Sequence, residues 1–181
     1  MTTATKWYAW LEKLKPCEEA MEWAQAQKSA AAAWRDCEDG SWMLWLAGKF
    51  SGKSGSAARR RLVLASCACA RLSLRHVPKG EHRPRKAIET AEAWARQEKG
   101  VTLDHVRDAA DAAADAADAA AADAADAATY AAYAARVAAR AAACAAAYAA
   151  AYAAAHAATL QQCADIVREY YPRVPRRRDG N

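Results

Sequence analysis

From Thr102 to Tyr171 the chain contains neither glycine nor proline, and alanine fills most of its positions. Alanine has the highest intrinsic helix propensity, and glycine and proline are the residues that interrupt helices. The segment is therefore helical by default. One straight helix of that length would run roughly 100 Å, far beyond the width of a small domain, and would expose methyl groups on every side. It is expected to fold back at least once. Thr159-Leu160-Gln161-Gln162 has the form of a capping box and is the favoured start of a last helix through Ile166, Val167 and Tyr170. Thr129 is a second candidate break.

The first hundred residues differ in character. Trp7, Trp10, Leu11 and Leu14 follow the spacing of an amphipathic helix, which Pro16 closes. A second helix is read over residues 18–27, and Ser29 caps a third that Asp39-Gly40 stops. Ser41 to Leu46 forms a short apolar helix running into the loop Gly48 to Ser56. Ser56 opens a long helix, ended near Val77-Pro78, and a further helix runs from Pro84 to Lys99, with Gly100 as its stop. Valine and isoleucine, on which strands depend, are scarce. The expected fold is all-α, a multihelical bundle. Its Trp-rich part (residues 1–100) packs with long alanine-rich helices of the same domain (101–171), followed by a basic flexible tail (172–181). Alanine lets helix axes approach closely but buries little area per contact. The tryptophan-rich half must supply most of the hydrophobic stabilisation.

Charge is unevenly spread. The chain carries a net +5, yet residues 104–126 hold seven aspartates and, of lysine and arginine, Arg107 alone. Asp104, Asp108, Asp111, Asp115 and Asp118 recur at spacings of four and three, which keeps them on one helical stripe. Such a stripe is either a solvated face or a contact surface for a basic protein, with Tyr130 and Tyr133 as aromatic anchors nearby. Arg59-Arg60-Arg61 and Arg176-Arg177-Arg178 admit a nucleic-acid reading. No recognition helix or aromatic platform accompanies them.

Catalytic patterns are weak. Ala47-Gly48-Lys49-Phe50-Ser51-Gly52-Lys53-Ser54 matches a loose phosphate-loop pattern, in which Lys53 would reach phosphates and Ser54 a magnesium ion. The true motif follows a buried strand, and a tryptophan-rich stretch precedes this one, so a Gly/Ser turn is the better reading. Cys67, Cys69, His76 and His82 suggest zinc only superficially. Cys67 and Cys69 point about 200° apart on a helix. The dispersed histidines, His105 and His156 included, have no nucleophile and carboxylate beside them. Trp34, Trp42, Trp45 and Trp94 read as core. The six cysteines read as reduced thiols in a cytoplasmic protein. The expectation is a non-enzymatic protein without metal or cofactor, with no membrane span and no secretory leader.

Ala33-Trp34 with Cys37, followed by Gly40-Ser41-Trp42-Met43-Leu44-Trp45-Leu46, resembles the alanine-rich immunity-protein family (immunity-protein-five-like) of bacteria and phages. Arg61 to Ala65, Cys67-Ala68-Cys69-Ala70-Arg71, Ala87 to Ala95 and Cys163 to Arg168 fit the same family. The resemblance spans roughly residues 29 to 171 and brings no catalytic motif. It implies an inhibitor that neutralises a toxin or effector protein by occlusion. The alternatives are a phage-encoded anti-defence inhibitor, for example of CRISPR or another host immune system, and a nucleic-acid-associated helical protein.

Overall fold

The computed structural model describes residues 7–77, 79–119 and 157–175. Eight α-helices are found among the described residues, and no strand: α1 (Ala9–Glu12), α2 (Glu18–Gln25), α3 (Ala30–Asp36), α4 (Gly40–Lys49), α5 (Ala57–Arg71), α6 (Arg83–Ala95), α7 (Leu103–Ala119) and α8 (Ala157–Tyr170). A 3-10 turn, Leu72–His76, extends α5. The all-α bundle is thus what the chain forms.

Side-chain caps set several boundaries. Ser29 accepts from the Ala32 amide, Asp39 from the Ser41 and Trp42 amides, and Ser56 from the Arg59 amide. Each satisfies first-turn N–H groups that no carbonyl inside the helix can reach. Thr102 and His105 form a reciprocal pair at the start of α7. The Thr102 hydroxyl accepts from the His105 amide, and His105 Nδ1 accepts from the Thr102 amide at 3.3 Å. Histidine here fills the role that glutamate plays in a capping box.

Several boundaries depart from the sequence reading. Helix α1 is a single turn that stops short of Leu14 and Pro16, and α2 ends at Gln25. Helix α4 runs to Lys49, so the loop begins at Phe50 and not at Gly48. Helix α6 stops at Ala95, well short of Gly100. Gln97 takes a positive φ of 62° while the Glu98 amide donates to Ala93 O and the Gln97 amide to Trp94 O. That is a Schellman ending with glutamine where glycine is usual. Thr159 lies inside α8 rather than capping it.

Helix α5 is the centre of the molecule because it carries two apolar stripes. Leu62, Ala65 and Cys69 join Trp34, Met43 and Leu44, with Ala164 and Val167 of α8, in one core. Val63, Cys67 and Ala70 join Ile88, Ala91 and Val106 in another. Helices α7 and α8 thus both reach cores built on α5, which spans only about 22 Å. A straight helix from Val106 to Ala164 would be roughly 87 Å long, so α7 and α8 cannot be parts of one rod. The chain does fold back, as its length required.

The alanine packing is literal. Ala87, Ala110 and Ala113 are wholly buried in a seam between α6 and α7. Arg71 of α5 grips Glu92 of α6 through two parallel hydrogen bonds, 2.8 and 2.9 Å, with Arg96 adding a third at 3.3 Å. Helix α8 is tied down from its far end. Arg168 donates to the Trp34 and Cys37 carbonyls at the end of α3, while Trp34 Nε1 donates to Tyr171 O at 2.8 Å. Val174, in the segment read as flexible tail, packs against the same core. Residues 176–181 lie outside the described residues.

Candidate partner-binding surfaces

The acidic stripe can be placed only in part. Helix α7 seals Val106, Ala110 and Ala113 inward, a spacing of four and three that fixes one buried face. At 100° per residue, Asp104, Asp108 and Asp111 fall on the opposite side, and all three are exposed. Asp104 is held by Arg107 at 2.5 Å, which offsets part of the stripe's charge. The side chains of Asp115 and Asp118, and all of Tyr130 and Tyr133, lie outside the described residues. Beside the stripe, His105 and Asp108 edge an open groove of about 730 Å³ whose α6 wall carries Arg83, Lys86 and Glu89. The groove mixes both signs of charge and offers no converging set of reactive groups.

A better-formed concavity lies on the other side of the molecule, where α1 to α4 meet. It is a cleft of about 70 Å³ bordered by Trp7, Trp10, Trp23, Trp42 and Trp45, with buried Trp34 among its walls. Apart from Trp34, these rings are half-buried. Trp23 and Trp42 meet at 6.0 Å between centroids, Trp10 leans on Phe50 at 6.3 Å, and the Lys49 ammonium stands 4.9 Å from the Trp45 ring. The Trp7 indole N–H is used internally, on Gln27 O at 2.8 Å, which ties α1 to the end of α2. Trp42 and Trp45 read from sequence as core. Helical spacing puts them on an apolar face, but it does not say that α1 and α2 cover that face incompletely.

The other candidates separate. Cys67 and Cys69 project into different cores, as their spacing demands. Burial pushes the Cys37 thiol up to about 11 and raises Cys67 further. The Cys69 thiol donates to the Cys163 carbonyl oxygen at 3.8 Å, and contact with the Cys163 thiol together with burial raises it. Cys17 is exposed, and Cys144 lies outside the described residues. No group of three or more His, Cys, Asp or Glu suited to a metal ion is found among the described residues. No helix among them is long and apolar enough to cross a membrane. The phosphate-loop match lacks its strand: Ala47 to Lys49 are the end of α4, and only residues 50–56 form a loop. Arg59, Arg60 and Arg61 do not make one patch. Arg59 is buried, Arg60 donates to Gly55 O, and Arg61 lies over the Tyr171 ring at 5.8 Å.

Comparison with known protein families, characterised proteins and solved structures gives no match.

Proposed function

We propose that this chain is a non-enzymatic binding protein that neutralises a protein partner by covering it, in the manner of an immunity protein covering a toxin. The tryptophan cleft carries the reading. Several partly exposed tryptophans around one concave apolar surface mark an interaction site, and tryptophan is enriched at the energetic centres of protein interfaces. The large flat rings supply contact area with little rotamer entropy to lose. The acidic face of α7 lies across α5 from the cleft, so it acts at long range by drawing in a basic partner and raising its association rate.

The test is comparative capture from host extract, with three baits. The parent is expected to retain one protein at one-to-one stoichiometry. A folded Trp23→Ser/Trp45→Ser variant is expected to lose it. Charge reversal of Asp108, Asp111 and Asp115 to Arg is expected to slow association at low salt while leaving dissociation nearly unchanged. Retention of the same protein by the cleft variant at undiminished affinity removes the cleft from the proposal.

A further inference from the structure

Among the described residues, the Arg59 guanidinium is a buried cation with no counter-charge beside it. The residue is 8% exposed, and among those residues its one side-chain hydrogen bond runs from Nη2 to Gly52 O at 2.7 Å. Nε and Nη1 are shut off from solvent and find no hydrogen-bond partner there. Polar groups buried in a native protein are almost always satisfied, and a buried charge is paired, because leaving it bare costs several kcal/mol. Arg71, at the other end of the same helix, follows that rule with Glu92.

No carboxylate bears on Arg59 among the described residues. Residues 40–70 contain no aspartate or glutamate, and carry Lys49, Lys53, Arg60 and Arg61 besides Arg59. The nearby ionisable side chain that bears on Arg59 is Tyr171. Burial pushes that phenol up to about 12, so at neutral pH it is uncharged. The cover beneath which the guanidinium lies is thin. Gly52, Lys53, Ser54 and Gly55 are all exposed, and the two glycines hold φ of +69° and +80°. The next residues open α5, whose first amides, Ala57 and Ala58, have no carbonyl to donate to and mark the positive end of a fifteen-residue helix.

We propose that the loop from Phe50 to Ser56, together with the first turn of α5, seats a phosphate-type oxyanion whose buried partner is Arg59. Lys53 stands on the exposed tip of that loop and adds a second positive charge. The seat differs from a nucleotide-binding phosphate loop, since a helix precedes it and no carboxylate stands beside it among the described residues. The oxyanion is free phosphate or one phosphate of a nucleic-acid backbone, and both present the same acceptor oxygens to the guanidinium.

Thermal unfolding of the full chain in a phosphate-free chloride buffer tests this. Inorganic phosphate is added in one arm and a short oligothymidylate in the other, each at ionic strength matched with sodium chloride. At a ligand concentration a hundred times Kd, the rise in Tm is expected to be roughly 5–10 °C. A rise with phosphate, lost in Arg59→Met and reduced in Lys53→Ala, supports a free ion. A rise with oligothymidylate alone, lost in the same variants, supports a phosphodiester. The proposal is overturned if neither probe exceeds chloride, which leaves buried water as the partner of Arg59. It is equally overturned if the rise survives in Arg59→Met shown to be helical by circular dichroism. If Arg59→Met does not fold, Lys53→Ala on the exposed tip decides, and a rise of undiminished size there overturns the seat.

Discussion

Gly40→Ala is expected to destabilise the protein even though it places a better helix former at the first position of α4. A Cβ added at Gly40 would lie 2.4 Å from Cys163 Cβ, 2.6 Å from the Ala164 nitrogen and 2.6 Å from the Cys163 carbonyl carbon. Non-bonded carbon atoms settle at about 3.5–4.0 Å, so α4 and α8 must part by roughly 1 Å. Two of the three obstructing atoms are main chain, and no rotamer change removes them. Replacing glycine by alanine in a helix contributes up to about 1 kcal/mol in favour of folding. Overpacking costs about 1–3 kcal/mol and more where backbone must move. The steric effect wins, and the net loss is expected to be about 1–3 kcal/mol. Urea unfolding followed by tryptophan fluorescence reads it, because the indoles lie on the α3–α4 side of that contact. With a slope near 2 kcal/mol per molar, the midpoint should fall by roughly 0.5–1.5 M. Cys163→Ala in the same background should restore nothing, since it keeps the Cβ and the main chain. A midpoint that stays level or rises would refute the close approach of α4 and α8.

Four further outcomes follow from particular contacts. Glu92→Gln breaks the bidentate grip between α5 and α6 and should cost about 1–2 kcal/mol, toward the low side for a buried pair because Arg71 remains more than a third exposed. Arg71 holds the Glu92 carboxyl below its ordinary value. The pair's contribution is therefore present above the unfolded carboxyl pKa and lost as pH falls through the folded one, so the parent should lose stability faster than Glu92→Gln as pH falls below about 4.5. Gln97→Gly should stabilise by roughly 0.5–1 kcal/mol, since glycine takes the left-handed turn after α6 without a Cβ penalty; a lower Tm would contradict the Schellman assignment. Thr102→Ala should cost about 1 kcal/mol, and His105→Ala a smaller amount, through the start of α7; amide exchange in the first turn of that helix checks both. Peptide mapping after brief iodoacetamide treatment should find Cys17 alkylated while Cys37 and Cys67 react only after unfolding, and early modification of Cys67 would contradict its placement between α5 and α6.

The all-helical architecture was legible because each level of the sequence agreed. Alanine set the propensity, the serines at 29 and 56 supplied caps, and the length of the uninterrupted run forced a reversal. Two of the misread boundaries share one cause. Gln97 and Thr159 occupy positions where the common residue would have pointed elsewhere, and tertiary contacts outweighed the local preference. Glycine at position 100 looked like the end of α6, but the Ala93 and Trp94 carbonyls had already been satisfied. The stripe of aspartates was legible as a face, since helical period alone sets it. The tryptophan cleft was not. Periodicity assigns Trp42 and Trp45 to an apolar side of α4, where they pack on the core, and only the arrangement of α1 and α2 over that side leaves them partly exposed at the cleft. Arg59 was hidden in a run of three arginines that looks uniform, although the three side chains go to three different environments.

Docking of a protein partner on the tryptophan cleft can be read by photo-crosslinking. A photo-reactive amino acid is placed at Trp45 in one preparation and at Leu103, on α7, in another, and each is irradiated with the captured partner. Docking on the cleft is expected to give a one-to-one adduct from position 45, mapped to the site through which the partner acts, and no such adduct from position 103. Crosslinking from position 103 alone, or from neither position under conditions where the complex is intact, would contradict it.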